Sequence, residues 1–210
     1  MVTRRPRGAY KVGLARRTRI VEAAAQRFAA EGYHQVSMAQ IAQDAGISDS
    51  GLLHHFPSKH HLLLAVVEFR MQSGDDRWAA IPIDIGGVET LREMVDATAW
   101  HVSQPGLIEL FVITASEASE PSSPAHELYS RQYEAVVEEI AQRFRSGVAA
   151  GELVPDLDCA ATARECIAVS DGLQLQWVLT RGRLDLVGGV RRHADRLART
   201  ITVDGRGLDS

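Results

Sequence analysis

Residues 37–59 read SMAQIAQDAGISDSGLLHHFPSK, and the order of signals within them decides the fold. Ser37 stands three residues before Gln40, the spacing of a capping box, in which a hydroxyl and a side-chain amide satisfy the orphan N–H groups of a helix start. Met38, Ile41, Ala42 and Ala45 follow at i, i+3, i+4 and i+7, a single apolar stripe for a helix of about two turns. Gly46 stands where a left-handed residue is needed to stop it. Ser48 caps a second helix in which Leu52 and Phe56, four apart, face inward, and Pro57 ends it. Two short helices joined by a turn containing glycine form a helix-turn-helix, whose second helix enters the DNA major groove. An ordinary helical hairpin has the same outline, so the flanking sequence must decide between them.

Charge is the first flanking signal. The 210-residue chain has a net charge of −4, yet residues 1–70 hold 10 Lys/Arg against 5 Asp/Glu while residues 71–210 hold 13 against 22. A basic N-terminal part on an acidic body points to nucleic acid. The first 19 residues sharpen this, carrying Arg4, Arg5, Arg7, Lys11, Arg16, Arg17 and Arg19 without one acidic residue. Such an arm is attracted to phosphates and is sensitive to salt.

Apolar residues at 45% and charged residues at 24% are near the globular average, which argues against intrinsic disorder. The longest apolar run, residues 62–67, is far short of the roughly 20 residues that span a bilayer. No apolar segment follows the basic N-terminus to make a signal peptide, so a cytoplasmic location is expected. Cys159 and Cys166 are seven apart, which fits neither metal nor redox spacing; they read as small buried hydrophobes.

Upstream of the motif, residues 14–31 form a helix with Ile20, Ala24 and Phe28 on one face, closed by Gly32. Downstream, Ser58 caps a fourth helix whose Leu62, Val66 and Phe69 keep an inward face to about residue 72. In order, spacing and composition, residues 23–63 (AAAQRFAAEGYHQVSMAQIAQDAGISDSGLLHHFPSKHHLL) resemble the DNA-binding domain of the TetR-type (tetracycline-repressor-type) bacterial transcriptional regulators. The resemblance covers about residues 14–74. It implies an N-terminal domain that reads operator DNA, a helical C-terminal domain that binds a small molecule, and a homodimer. It also implies that Ser37, His55 and Lys59, which match its positions, touch the phosphate backbone.

Base reading falls to Ser48, Asp49, Ser50, Gly51, Leu53 and His54 in the second helix, where the chain departs from that family. Asp49 stands where a lysine is common, Gly51 where a threonine or serine is common, and Leu53 where a tyrosine is common. A carboxylate accepts from a cytosine amine and an apolar side chain meets a thymine methyl, so the operator sequence does not carry over.

Residues 73–87 (SGDDRWAAIPIDIGG) read as a domain boundary. The expected organisation is a basic disordered arm (1–13), the helix-turn-helix domain (14–74, motif 37–56), a helical domain (75–202) and a tail (203–210). Helices are expected over residues 88–103, 107–119, 125–150, 157–180 and 185–202, about nine in an all-α chain. Residues 157–180 are apolar nearly all round. With a core on one face, the other needs a partner chain, so the last two helices are expected to form a four-helix interface across a two-fold axis.

No nucleophile elbow, phosphate loop, dinucleotide fingerprint or zinc-protease motif occurs, so an enzyme is not expected. His54, His55, His60 and His61 straddle Pro57 without the spacing that lets two imidazoles share an ion, so no metal is expected, and no cofactor. Effector contacts are expected from Met94, Trp100 and His101, from Phe111 and Thr114, from Tyr129 and Tyr133, and from Gln174 and Trp177, since large apolar faces with a few polar groups make small-molecule cavities. The sequence thus describes a DNA-binding regulator, a repressor released by a small molecule. A regulator without an effector, or an all-α enzyme, are the alternatives.

Overall fold

The computed structural model describes residues 7–79, 82 and 86–209, and its regular structure among them is helical, apart from one isolated antiparallel bridge between Leu153 and Thr202. The chain divides into two units, Met1–Met71 and Gln72–Ser210.

The first unit holds α1 (Arg7–Glu31), a 3-10 turn (Tyr33–Gln35), α2 (Met38–Asp44), α3 (Asp49–His55) and the start of α4 (Lys59–Ala79). Ile20, Ala24 and Phe28 of α1, Ile41 of α2, Leu52 of α3 and Leu62 of α4 are all fully buried, so each helix contributes its predicted stripe to one core. Ser37 caps α2 with the full capping box, its backbone N–H donating to Gln40 Oε1 at 2.8 Å and its hydroxyl accepting from Gln40 N at 3.3 Å. Gly46, at φ 65°, makes the left-handed stop, a conformation that costs other residues their Cβ clearance. Arg27 of α1 donates to both carboxylate oxygens of Asp44, with Nη2 to Oδ1 at 3.0 Å, and fixes α1 to the end of α2.

Three expectations change here. Residues 1–13 are not an unstructured arm throughout, because α1 already begins at Arg7; Arg7, Ala9 and Lys11 are helix formers, and Gly8 and Gly13 alone do not stop it. Residues 1–6 lie outside the described residues. Helix α4 does not stop near residue 72 but runs to Ala79, so Ser73, Gly74 and Asp75 are helical, while residues 80, 81 and 83–85 of the expected boundary lie outside the described residues. Finally, Phe69 is 37% exposed rather than inward, and the buried face near it is made by Leu62, Leu63, Val66 and Val67.

The second unit holds α5 (Val88–Val102), α6 (Pro105–Glu117), α7 (Pro124–Ala149), α8 (Cys159–Leu179) and α9 (Leu186–Ile201). Helix α5 packs on α9, and α8 packs on both α7 and α9. Leu91, Val95, Ile108, Ile140, Phe144 and Val190 meet in its core. The N-terminal end of α5 comes close to α7: a Cβ on Gly147 would lie 2.6 Å from Gly87 Cα, so a side chain there would force the backbones apart. Buried Arg143 of α7 donates to the carbonyl of Pro82 at 3.4 Å and pairs with Glu139 at 3.3 Å. After α9 the chain returns, burying Leu208, whose carbonyl accepts from Arg92 Nε at 2.9 Å and whose N–H donates to Asp195 Oδ1 at 3.1 Å.

Candidate nucleic-acid interface and effector residues

Helix α3 has two faces. Leu52 is fully buried and Phe56, its C-terminal cap, is 2% exposed, whereas Asp49, Ser50, Leu53 and His54 are exposed. Ser48 also stands at the surface, but its hydroxyl caps α3 by accepting from Gly51 N at 3.2 Å and lies 3.2 Å from Ser50 Oγ. At Gly51 a Cβ would meet that same Ser48 Oγ at 3.2 Å, a tight fit that favours glycine. The candidate base-reading positions therefore line one outer surface, aimed by Leu52 and Phe56.

Around it stand the candidate backbone contacts. Ser37 is exposed at the start of α2. Lys59, the first residue of α4, holds its ammonium 4.5 Å from the centre of the Tyr33 ring and 3.5 Å from the carbonyl of His34; burial pushes its pKa down. No local spacing announces this cation–π seat, which joins the 3-10 turn to α4. Half-buried His55 lies 5.7 Å from the His54 ring, and burial, then His54, Arg16 and Arg17, push its imidazole below its ordinary pKa. Arg17 itself lies over the Phe56 ring, 5.0 Å from its centre. His61 shares a hydrogen bond of 2.8 Å with Ser58, the cap of α4, and among the described residues no group of three or more His, Cys, Asp or Glu could hold a metal ion.

In the second unit, four of the candidate effector residues come together. Phe111 of α6 and Tyr129 of α7 have ring centres 5.3 Å apart, and Tyr129 and Tyr133 lie 6.3 Å apart. Buried Thr114 donates to Leu110 O at 2.8 Å and shares a hydrogen bond with the Tyr129 hydroxyl, which in turn donates to Phe111 O at 2.9 Å. The Tyr133 hydroxyl donates to Asp171 of α8. Burial raises the pKa of both partners, so a desolvated carboxylate lies beside the aromatic rings. In the sequence Asp171 is one of the few polar breaks in an apolar helix; its pairing is tertiary and leaves no mark in local periodicity.

The other candidates are placed differently. The Trp100 and His101 rings lie tilted against each other, with centres 5.1 Å apart, at the end of α5. Met94 is partly buried against the core. Gln174 donates to Ser170 of its own helix at 3.4 Å, and Trp177 is buried in the core, where Gly182 lies against its ring. Cys159 and Cys166 are free and buried, with the Cys166 thiol pushed up to about 12 by burial.

A helical unit that turns one face of a capped, short helix outward, joined to a second helical unit with its own core, defines a helix-turn-helix regulator of transcription. Residues 20–66 match the family of bacterial regulatory proteins of the tetR type, and residues 89–202 match the C-terminal domain of BetI-type transcriptional repressors. The chain belongs to this family and is a DNA-binding transcriptional regulator. Among its relatives, the regulator UidR of Escherichia coli (strain K12) is 29% identical over 159 residues, 75% of this chain and 79% of its own. The regulator BetI of Rhizobium meliloti (strain 1021) is 27% identical over 207 residues, 94% of this chain and 96% of its own. Among solved structures, a transcriptional regulator of Saccharomonospora viridis in complex with choline has a TM-score of 0.72 at 28% identity, covering 89% of this chain and 97% of its own. A regulator of Haloarcula marismortui has the same fold, with a TM-score of 0.75 at 18% identity.

Proposed function

We propose that the chain acts in the cytoplasm, without catalysis, as a homodimeric repressor whose two α3 helices read half-sites one helical turn apart, about 34–36 Å. The division of α3 into a buried face at Leu52 and Phe56 and an exposed face at Asp49, Ser50, Leu53 and His54 carries this reading. Ser48 and Gly51 complete the base-reading surface, and Ser37, His55 and Lys59 grip the backbone. Exposed apolar positions on α8 support the dimer: Ala161, Ala168, Leu175 and Leu179 recur at helical spacing on one face, with Leu179 73% exposed. The test is binding of labelled duplex DNA across a salt series. Replacing both His55 and Lys59 by Ala weakens binding at all sequences and lowers the slope of log affinity against log salt by about one per lost phosphate contact. Unchanged binding at moderate salt would remove these two residues from the interface.

For the effector, the aromatic faces of Phe111, Tyr129 and Tyr133 beside the Asp171 carboxylate favour a small organic cation. The choline bound by the Saccharomonospora viridis regulator is of that class. Thr114 orients Tyr129; Met94, Trp100, His101, Gln174 and Trp177 are retained as outer candidates. An inducer must bind more tightly to the dimer geometry that misfits the operator, because equal affinity for both geometries changes nothing. Choline at 100 times its Kd should stabilise the protein by about 2.7 kcal/mol. A uncharged carbon isostere of choline should not, and Asp171→Asn should abolish the difference between them. Equal stabilisation by the two compounds would show that no charge is recognised.

A further inference from the structure

Arg16 and Arg17 lie at the start of the helix-turn-helix domain, just before residues 20–66, the stretch that matches the tetR-type family. They are part of α1 and stand exposed beside the C-terminal end of α3. Two observations place them there. The Arg17 guanidinium lies 5.0 Å from the centre of the Phe56 ring, the buried residue that closes α3. Both arginines are also near enough to His55, the last residue of α3, for their charges to act on its imidazole. A guanidinium held over an aromatic face keeps N–H groups at its edge for donation, which suits it to phosphate.

We propose that Arg16 and Arg17 of α1 join His55 of α3 in a single seat for one DNA phosphate, with Arg17 held in place by Phe56. The proposal rests on the chain's binding of DNA, and it extends each protomer's grip beyond the helix-turn-helix. A cluster of positive groups around an exposed rim is costly until an anion enters it. Burial is the largest influence favouring the neutral His55 ring, and the charged and titratable groups that add to it are His54 on its own helix and Arg16 and Arg17 on α1, all basic. A phosphate reverses the sign of that environment and favours the imidazolium. Binding therefore takes up a proton at His55, and affinity rises as pH falls between the imidazole's values in the free and bound protein.

The experiment uses the full chain and a fluorescein-labelled random-sequence duplex of about 30 base pairs, a length near three turns of DNA, with affinity read across salt and pH. The Arg16→Gln, Arg17→Gln double variant should flatten the salt slope by about one per protomer, and the Arg16→Lys, Arg17→Lys variant should restore most of it. His55→Gln should abolish the rise in affinity on lowering pH from about 8 to 6, a range that brackets the ordinary imidazole value. If the loss of the Arg17 contact with Phe56 unfolds the double variant, Arg16→Gln alone decides, since its side chain is exposed. A salt slope unchanged by Arg16→Gln, or a pH dependence that survives His55→Gln, overturns the proposal while leaving DNA binding intact. Failure of the unaltered chain to bind the duplex at any salt concentration would instead overturn the reading of the interface on which the proposal rests.

Discussion

The Ser37 hydroxyl accepts from Gln40 N while its own N–H donates back to the Gln40 side chain, so one small residue sets where α2 begins and hence where α3 points. Ser37→Ala should lower the unfolding free energy by about 1 kcal/mol. Urea denaturation with an unchanged m-value checks it; an unmoved midpoint would mean that the cap adds nothing. At this scale the sequence is highly legible, because caps, glycine stops and proline breaks act on neighbouring residues. Ser37, Gly46, Ser48 and Ser58 all do in the structure what their spacing announces. What local pattern does not announce is a side chain's distant partner. Lys59 on Tyr33, Arg17 on Phe56 and Tyr133 on Asp171 join residues 26, 39 and 38 positions apart, and none leaves a trace in spacing.

Among whole elements, α7 is legible because Tyr129, Val137, Ile140 and Phe144 recur at helical spacing in the sequence, and all four are buried. The ends of α1 and α4 are not. Turn-forming Ser73, Gly74 and Asp75 carry only weak penalties, which a helix already nucleated overrides by continuing its hydrogen bonds. The contact of α7 with α8 is expected to depend on pH. Asp171 has its folded pKa raised above the ordinary carboxylate value by burial, so the folded state favours the protonated form. Its contribution to stability is present below the unfolded pKa of about 3.9 and is lost as pH rises through the raised folded value. Asp171→Asn keeps an acceptor for Tyr133 and removes the buried charge. It should raise the melting temperature at pH 7 and leave it nearly unchanged near pH 3.5; an equal shift at both would assign the effect to packing instead.

For the molecule as a whole, α8 was the element that periodicity read as needing cover on both sides. One side finds it in Cys166, Gln174 and Trp177, all buried, while the other presents Leu175 and Leu179 to solvent. If the proposed dimer forms through this face, replacing both leucines by Glu should give monomers in sedimentation measurements and weaken operator binding. A dimer that survives the change would place the two-fold axis elsewhere. The two faces of α3 have a different kind of consequence. Leu52 and Phe56 hold this helix from the inside, and the side chains proposed to read the bases, Asp49, Ser50, Leu53 and His54, are exposed. Surface substitutions usually change stability by no more than about 0.5 kcal/mol. A lineage can therefore rewrite Asp49, Ser50, Leu53 and His54 at almost no cost to folding, so descendants of one scaffold can diverge to different promoters while the frame beneath stays the same.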